Sequence, residues 1–224
     1  MTLEHRKAAY YGNPFIGIFA ATNNSHTIFP EGASANFVHR VCGALGTRGV
    51  VCGMGGSSLN GIYAAMNSRG IVMPRFDGAL MGKLRVETGL EVYASGEKLN
   101  AHGNNIAVND RGGIISVHVH AAERRRMEEC LGVELVPMHI GGYATVGSLC
   151  VATNRGFLVH YGANEEEVGE LERIFRVKGA KGTANMGTGF VSVCMLANDR
   201  GYVAGEGTSA FEMGRAEEAL GFLG

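Results

Sequence analysis

The chain lacks most of the features that would assign it at once. Charged residues make up only 18% and the formal charge is -1. A protein held mainly by phosphate contacts needs a clear cationic excess, so a general nucleic-acid binder is disfavoured, although a local basic face is not excluded. No apolar run approaches the ~20 residues of a membrane span. The opening MTLEHRKAAYYGNP has no apolar core of signal-peptide length, so secretion is not expected. Five cysteines, an odd number with no Cys-x-x-Cys among them, argue against a closed disulfide framework. A reducing cytoplasm is the expected location. Tryptophan is absent and proline is down to 4.

Glycine is what the chain has instead. Its 35 glycines are more than double the usual share of about 7%. With no Gly-x-y period they imply many tight turns and close backbone approaches rather than collagen. The turns repeat. AMNSRGIV, AVNDRGGI, ATNRGFLV and LANDRGYV follow an earlier, looser ATNNSHTIF. Aligned on Thr27, Gly70, Gly112, Gly156 and Gly201, they recur at intervals of 42 to 45 residues and account for essentially the whole chain. A short glycine turn recurs by chance; five at nearly constant spacing mark an internal repeat.

Each unit reads as an apolar strand, a four-residue turn and a second strand, the turn closed by Asn or Asp and by a glycine tolerant of positive φ. A helix follows. Ser34 caps the first, over Phe37, Val38, Val41, Cys42 and Leu45; Gly132 ends the third; Asn164 caps the fourth ahead of Glu165, Glu166 and Glu167. The second, GALMGKLRVETG, carries Gly82, which costs about 1 kcal/mol relative to alanine. A third strand closes each unit: Val50–Cys52, Leu90–Tyr93, Val133–Val136, and a short one around Arg176-Val177. A strand-strand-helix-strand unit cannot bury both faces alone, so neighbours must close on one another. The last unit, SAFEMGRAEEALGFLG, has no strand after its helix. The segment around AAYY near the start is expected to supply it and shut the ring. The expectation is one α/β domain over residues 1–224, a closed propeller of five repeats of about 44 residues. GMGGSS precedes a strand rather than a helix, so a dinucleotide fold is disfavoured.

The candidate chemistry is thin. Cys150 and Cys194 occupy nearly equivalent places on the strands entering the turns; a nucleophilic thiol would need a histidine such as His102, His118 or His160 and an acidic partner, and core packing is the simpler reading. His118 and His120 would share a strand face if the strand continues that far, but they lack a third zinc ligand. Arg124, Arg125 and Arg126 are flanked by Glu123, Glu128 and Glu129 on one helix, a solvated, self-paired face. Arg69, Arg111, Arg155 and Arg200 recur at the turns and should encircle one end of a ring. Glycine-led entries to the first strands should form a second circle at the opposite end: Gly61, Gly103 before Asn104, Gly147 with Ser148, and Gly187-Thr188-Gly189. Such a shallow, low-charge surface suits docking onto a partner better than holding a small substrate.

Four stretches carry a resemblance. GGSSLNGIYAAMNSRGIVMP (55–74), LNAHGNNIAVNDRGG (99–113), VGSLCVATNRGFLVH (146–160) and VKGAKGTANMGTGFVSVCMLANDRG (177–201) together resemble the archaeal and eukaryotic translation initiation factor 6 family, in its order and over every repeat. The resemblance implies the pentein fold, a five-fold pseudosymmetric α/β ring. It implies a non-enzymatic factor that binds the large (50S) ribosomal subunit, docks against ribosomal proteins near the sarcin–ricin loop, and prevents association with the small (30S) subunit. A part in large-subunit maturation is implied as well; whether adjacent ribosomal RNA is touched is left open. No cofactor, metal, membrane or small-molecule substrate is expected, and a monomer is. The family's docking asparagine after the third-repeat glycine corresponds to Asn104. The arginine often found after the second-repeat glycine is Ile62 here, and Tyr161 stands where a proline follows His160. The expected ribosome-binding set is therefore Gly61, Ile62, Gly103, Asn104, Gly147, Ser148 and Gly189. No acidic, serine-bearing tail like that of eukaryotic members follows Gly224, so an archaeal form is expected. The alternative in a different class is a pentein-fold Cys-dependent hydrolase or amidinotransferase; fold alone does not transfer that chemistry.

Overall fold

The structure is a computed structural model that describes residues 6–76 and 78–223. The first five residues of the segment read as lacking a secretion signal, and Gly224, lie outside the described residues. Each repeat builds a three-stranded sheet from an antiparallel hairpin and a parallel third strand. The first sheet is β2 (Ala21–Thr22), β3 (His26–Phe29) and β4 (Arg48–Val51). The second is β5 (Ala65–Met66), β6 (Gly70–Pro74) and β7 (Glu91–Ser95), and the third β8 (Ile106–Val108), β9 (Gly113–Ser116) and β10 (Leu135–Met138). The fourth is β11 (Cys150–Ala152), β12 (Phe157–His160) and β13 (Gly179–Gly182). The fifth takes β14 (Met195–Ala197) and β15 (Tyr202–Gly205) from the end of the chain and β1 (Lys7–Ala8) from its beginning.

That borrowed strand closes the ring as expected. Lys7 and Ala8 pair in parallel with Ala204 and Gly205, the same relation that β4 has to β3. The Arg6 guanidinium adds an ion pair to Glu217 and lies over the Tyr202 ring. Strands β2, β5, β8, β11 and β14 then stand side by side in an unbroken circle around the axis.

Five helices form the outer layer: α1 (Ala35–Leu45), α3 (Gly78–Thr88), α5 (Ala121–Leu131), α7 (Glu165–Phe175) and α9 (Ala210–Ala219). Ser34 caps α1 by accepting the Phe37 N–H at 3.2 Å. Asn164 and Ser209 head α7 and α9 with reciprocal capping boxes. The cores lie between neighbouring sheets. One cluster joins Ile114 of β9 to Phe157 of β12 and to Leu171, Ile174 and Phe175 of α7, so removing any one repeat would expose the apolar side of the next.

Three expectations need correction. The first turn aligns on His26, not Thr27. In every copy the first turn residue donates its N–H to the carbonyl three residues on, Asn23 to His26 as Asn67 to Gly70. Next, Gly70, Gly112, Gly156 and Gly201 do not have positive φ. They are glycine because a methyl group there would overlap a carbonyl in the last turn of the following repeat's helix, those of Cys130, Ile174, Ala219 and Ala44. Finally, two third strands begin two or three residues later than the apolar residues suggest. Gly132 and Arg176, with φ of 64° and 57°, turn the chain out of α5 and α7 first. The Arg176-Val177 strand is therefore Gly179–Gly182.

Candidate functional site

The two ends of the ring differ because the hairpin turns all point one way. At the turn end, side chains are spent on the ring itself. Asn67 donates to the carbonyls of Asn109 and Leu131, Asn109 to Thr153 and Phe175, and Asn198 to Asn23 and Leu45. Each amide thus ties a turn to its neighbour and to the last carbonyl of the neighbour's helix. Inside this circle Asn24, Ser68, Asp110, Asn154 and Asp199 meet on the axis. Asn154 donates to Asp110 and Asp199 at 2.7 and 2.8 Å, and Asn24 to Asp199 at 2.7 Å. The recurring arginines act as struts. Arg69 donates to the Gly132 carbonyl, Arg111 to Arg176, Arg155 to Gly221 and Arg200 to Gly46, each a carbonyl at the C-terminal, partially negative end of the next helix. All four arginines are exposed, and each ties a turn to the neighbouring repeat.

At the opposite end the chain enters each first strand through one short turn of helix. These are a 3-10 turn (Ile16–Ile18), α2 (Asn60–Tyr63), α4 (His102–Asn105), α6 (Val146–Leu149) and α8 (Val191–Cys194); GMGGSS is therefore followed by a single helical turn and only then by β5, not directly by a strand as expected. The glycine circle is here, with one member moved. It comprises Gly17, Gly61, Gly103, Gly147 and Ser192, which help line a cavity of about 100 Å³. A methyl on Gly61 would collide with the Gly17 carbonyl oxygen, one on Gly103 with that of Gly61, and one on Gly147 with that of Gly103. These glycines pack backbone on backbone. Gly17 and Ser192 were missed because the turn alignment was one residue out at the start and the glycine spacing misleads at the end. Gly189 lies off the circle, buried against the His160 and Tyr161 rings.

Of the other expected residues, Ile62 and Asn104 are half-buried beside their ring glycines. Ser148 is buried, its hydroxyl donating to the Thr145 carbonyl at 2.7 Å. The exposed part of this end lies farther out. The third strands run parallel to the second, so every third strand and every second strand finishes here. The loops that follow them carry Tyr11, Leu99, Val117, Tyr143, Tyr161, Met186 and Phe190, seven of the eleven large apolar residues found exposed among the described residues. Sequence reasoning missed this outer set, for which the signal was aromatic residues beside glycine, as in GGYAT and HYGAN.

The thiols are not poised for catalysis. Cys150 and Cys194 are buried, and burial pushes both up, Cys194 to about 12 and Cys150 well above the usual thiol range. Strand β9 ends at Ser116, so His118 and His120 lie in the loop before α5 and share no strand face; His118 lies 6.4 Å from His139, ring centre to centre, and among the described residues no three metal-ligating side chains gather. Arg124 pairs with Glu128 at 3.7 Å. Among the described residues no helix is long and apolar enough to cross a membrane.

Comparison with known proteins gives a consistent result. A model of the eIF-6 family matches residues 5–219. The chain is similar to Translation initiation factor 6 of Thermococcus onnurineus, 36% identical over 97% of this chain and 98% of that protein. It is similar to the protein of that name from Picrophilus torridus, at 34% identity over 96% and 99%, and from Methanosphaerula palustris, at 36% over 97% and 98%.

Proposed function

The chain belongs to the eIF-6 family, and from that premise we propose that it binds the large ribosomal subunit through its glycine end and blocks joining of the small subunit by bulk. The coarse assignment, a translation initiation factor of archaeal type, comes with the family and its relatives. The finer reading is supported by one observation, the gathering of exposed apolar side chains at a single end. Surfaces of monomeric proteins that keep such groups together mark association sites. The turn end, by contrast, uses its polar groups on itself.

In this reading Asn104, Ile62 and the ring glycines floor the docking surface, and the outer loops form its contact rim. Ribosomal proteins near the sarcin–ricin loop are the partners, with a part in large-subunit maturation. The factor works as a cytoplasmic monomer without cofactor or catalysis. Buried thiols with raised pKa give the hydrolase alternative no support.

Co-sedimentation of the purified protein with isolated large and small subunits tests the proposal, together with light scattering of subunit joining. Binding to the large subunit alone, with joining suppressed at saturation, is expected. Binding only to the small subunit, or undiminished joining with the large subunit saturated, would overturn it.

A further inference from the structure

One sector of the glycine end is built differently from the rest. The rings of Tyr143, His160, Tyr161 and Phe190 form a continuous cluster, with His160 stacked on Tyr161 at 4.4 Å and Tyr143 5.7 Å from Phe190. Beside it lies a tight turn that recurs after the third strands, with consecutive left-handed residues at Tyr11-Gly12, Gly55-Gly56, Gly141-Gly142 and Asn185-Met186; only the last pair, at φ 48° and 63°, contains no glycine. Such a pair is costly and persists only where its surroundings enforce it.

The enforcement is visible. Glu212, only 6% exposed, takes the Gly187 N–H at 2.8 Å, the Met186 N–H at 3.3 Å and the Thr183 hydroxyl at 2.8 Å. The Asn185 amide donates to the Pro14 carbonyl at 2.9 Å, and its N–H donates to the Thr208 hydroxyl. A loop fixed at so many points holds Met186 out at 80% exposure. The Asn185 and Glu212 bonds tie the loop into the ring, whereas the Met186 thioether that they hold in solvent takes no part in them.

The charge around the cluster selects the occupant. Its loops, 139–145, 160–164 and 183–190, contain no Lys or Arg. The carboxylates beneath are Glu167, which accepts the Gly141 N–H, and Glu212. A phosphate backbone would find no cation on these loops, Lys181 at their edge being paired with Glu165, whereas an apolar protein surface would find aromatic and methionine side chains of the kind enriched at protein interfaces.

We propose that Met186, Tyr161, Tyr143 and Phe190 form a preorganised anchor for an apolar patch on a protein of the large subunit, with Glu212 as the residue that positions it. The inference rests on the docking reading above and adds to it which residues of the rim make the contact at this sector and which residue positions them.

The test places the photoreactive residue p-benzoylphenylalanine at Met186, irradiates the complex with large subunits, and digests it separately with ribonuclease and protease. In parallel, Met186→Ser and Tyr161→Ser, both exposed and so expected to fold, are titrated against large subunits at two salt concentrations. A cross-link to protein is expected, with at least tenfold weaker binding by the double variant and an unchanged salt dependence. A cross-link to RNA, no cross-link under conditions where the parent co-sediments, or parental affinity in the double variant would overturn the anchor and leave the docking reading standing. Failure of the parent to bind large subunits would overturn both. Glu212→Gln, with its thermal midpoint measured alongside, should weaken binding even at temperatures where it is fully folded.

Discussion

Asn67, Asn109 and Asn198 show how one residue type answers three needs at the turn end. The Asn109 side-chain oxygen accepts the Arg111 and Gly112 N–H groups at 2.9 and 3.0 Å, closing its own turn. Its NH₂ reaches two carbonyls in the next repeat, both at 2.9 Å. Thr153 closes its turn with a hydroxyl instead and has no second donor for the neighbour. His102 is a polar exception of another kind. It is fully buried, neither ring nitrogen finds a partner, and the matching residues before the other ring positions are Ile16, Asn60, Val146 and Val191. Burial holds His102 down to about 4, against a weaker opposing pull from Glu97 and Glu123. A histidine that is harder to protonate when folded leaves stability intact above its unfolded value near 6.5. As pH falls below that value the unfolded chain takes up a proton that the folded one refuses, and stability drops until about pH 4. His26 and His160, also lowered by burial, share this sign, so the comparison must be made against a variant. Urea denaturation at pH 7.5 and pH 5 should show His102→Leu losing about 2 kcal/mol less than the parent over that interval. Equal losses would mean that the imidazole is solvated in the folded state.

Among elements, helices and glycines show most clearly what could be read in advance. The helices were legible from their caps and stripes, because Ser34, Asn164 and the apolar spacing act locally. The glycine roles were not, because they depend on which backbone lies opposite. Gly82 and Gly61 look alike in the chain yet face opposite surroundings. Nothing lies within 4 Å of a methyl built on Gly82 in α3, while one on Gly61 overlaps the Gly17 and Ala20 carbonyl oxygens. Alanine at 82 should therefore raise stability by about 0.5–1 kcal/mol through helix propensity. Alanine at 61 should lower it by about 1–3 kcal/mol, because the axial backbones must separate. Chemical denaturation of the two variants gives the signs directly, and the same sign for both would remove the distinction between propensity glycines and packing glycines. The candidate site divides in the same way. Its floor was legible as a run of glycines before short strands, with Gly189 in place of Ser192. The rim was not, since exposure of Tyr161 or Met186 follows from which strand ends share a face, and chain spacing alone carries no such information.

At the scale of the whole molecule, the ring depends on a strand that comes from the wrong end of the chain. In the other four repeats the third strand follows its own helix after a few residues; in the fifth it is β1, paired to β15 across nearly the full length of the sequence. If the fold recognises that strand only by its place in the ring, its origin should not matter. Removing residues 1–8 would strip the partner from β15, delete the Arg6 ion pair with Glu217 and leave an open sheet edge available to other chains. A circular permutant that begins at Tyr10 and carries Arg6 to Ala9 after α9, through a short flexible linker, restores the connectivity of the other four repeats. The truncation should melt well below the parent and associate with itself, visible as a concentration-dependent rise in sedimentation coefficient. The permutant should remain monomeric and melt close to the parent, since closing a loop of different length changes stability only slowly with its length. A permutant as unstable as the truncation would show that the N-terminal strand closes the ring through features of its own position, and the ring could no longer be treated as five copies of one unit.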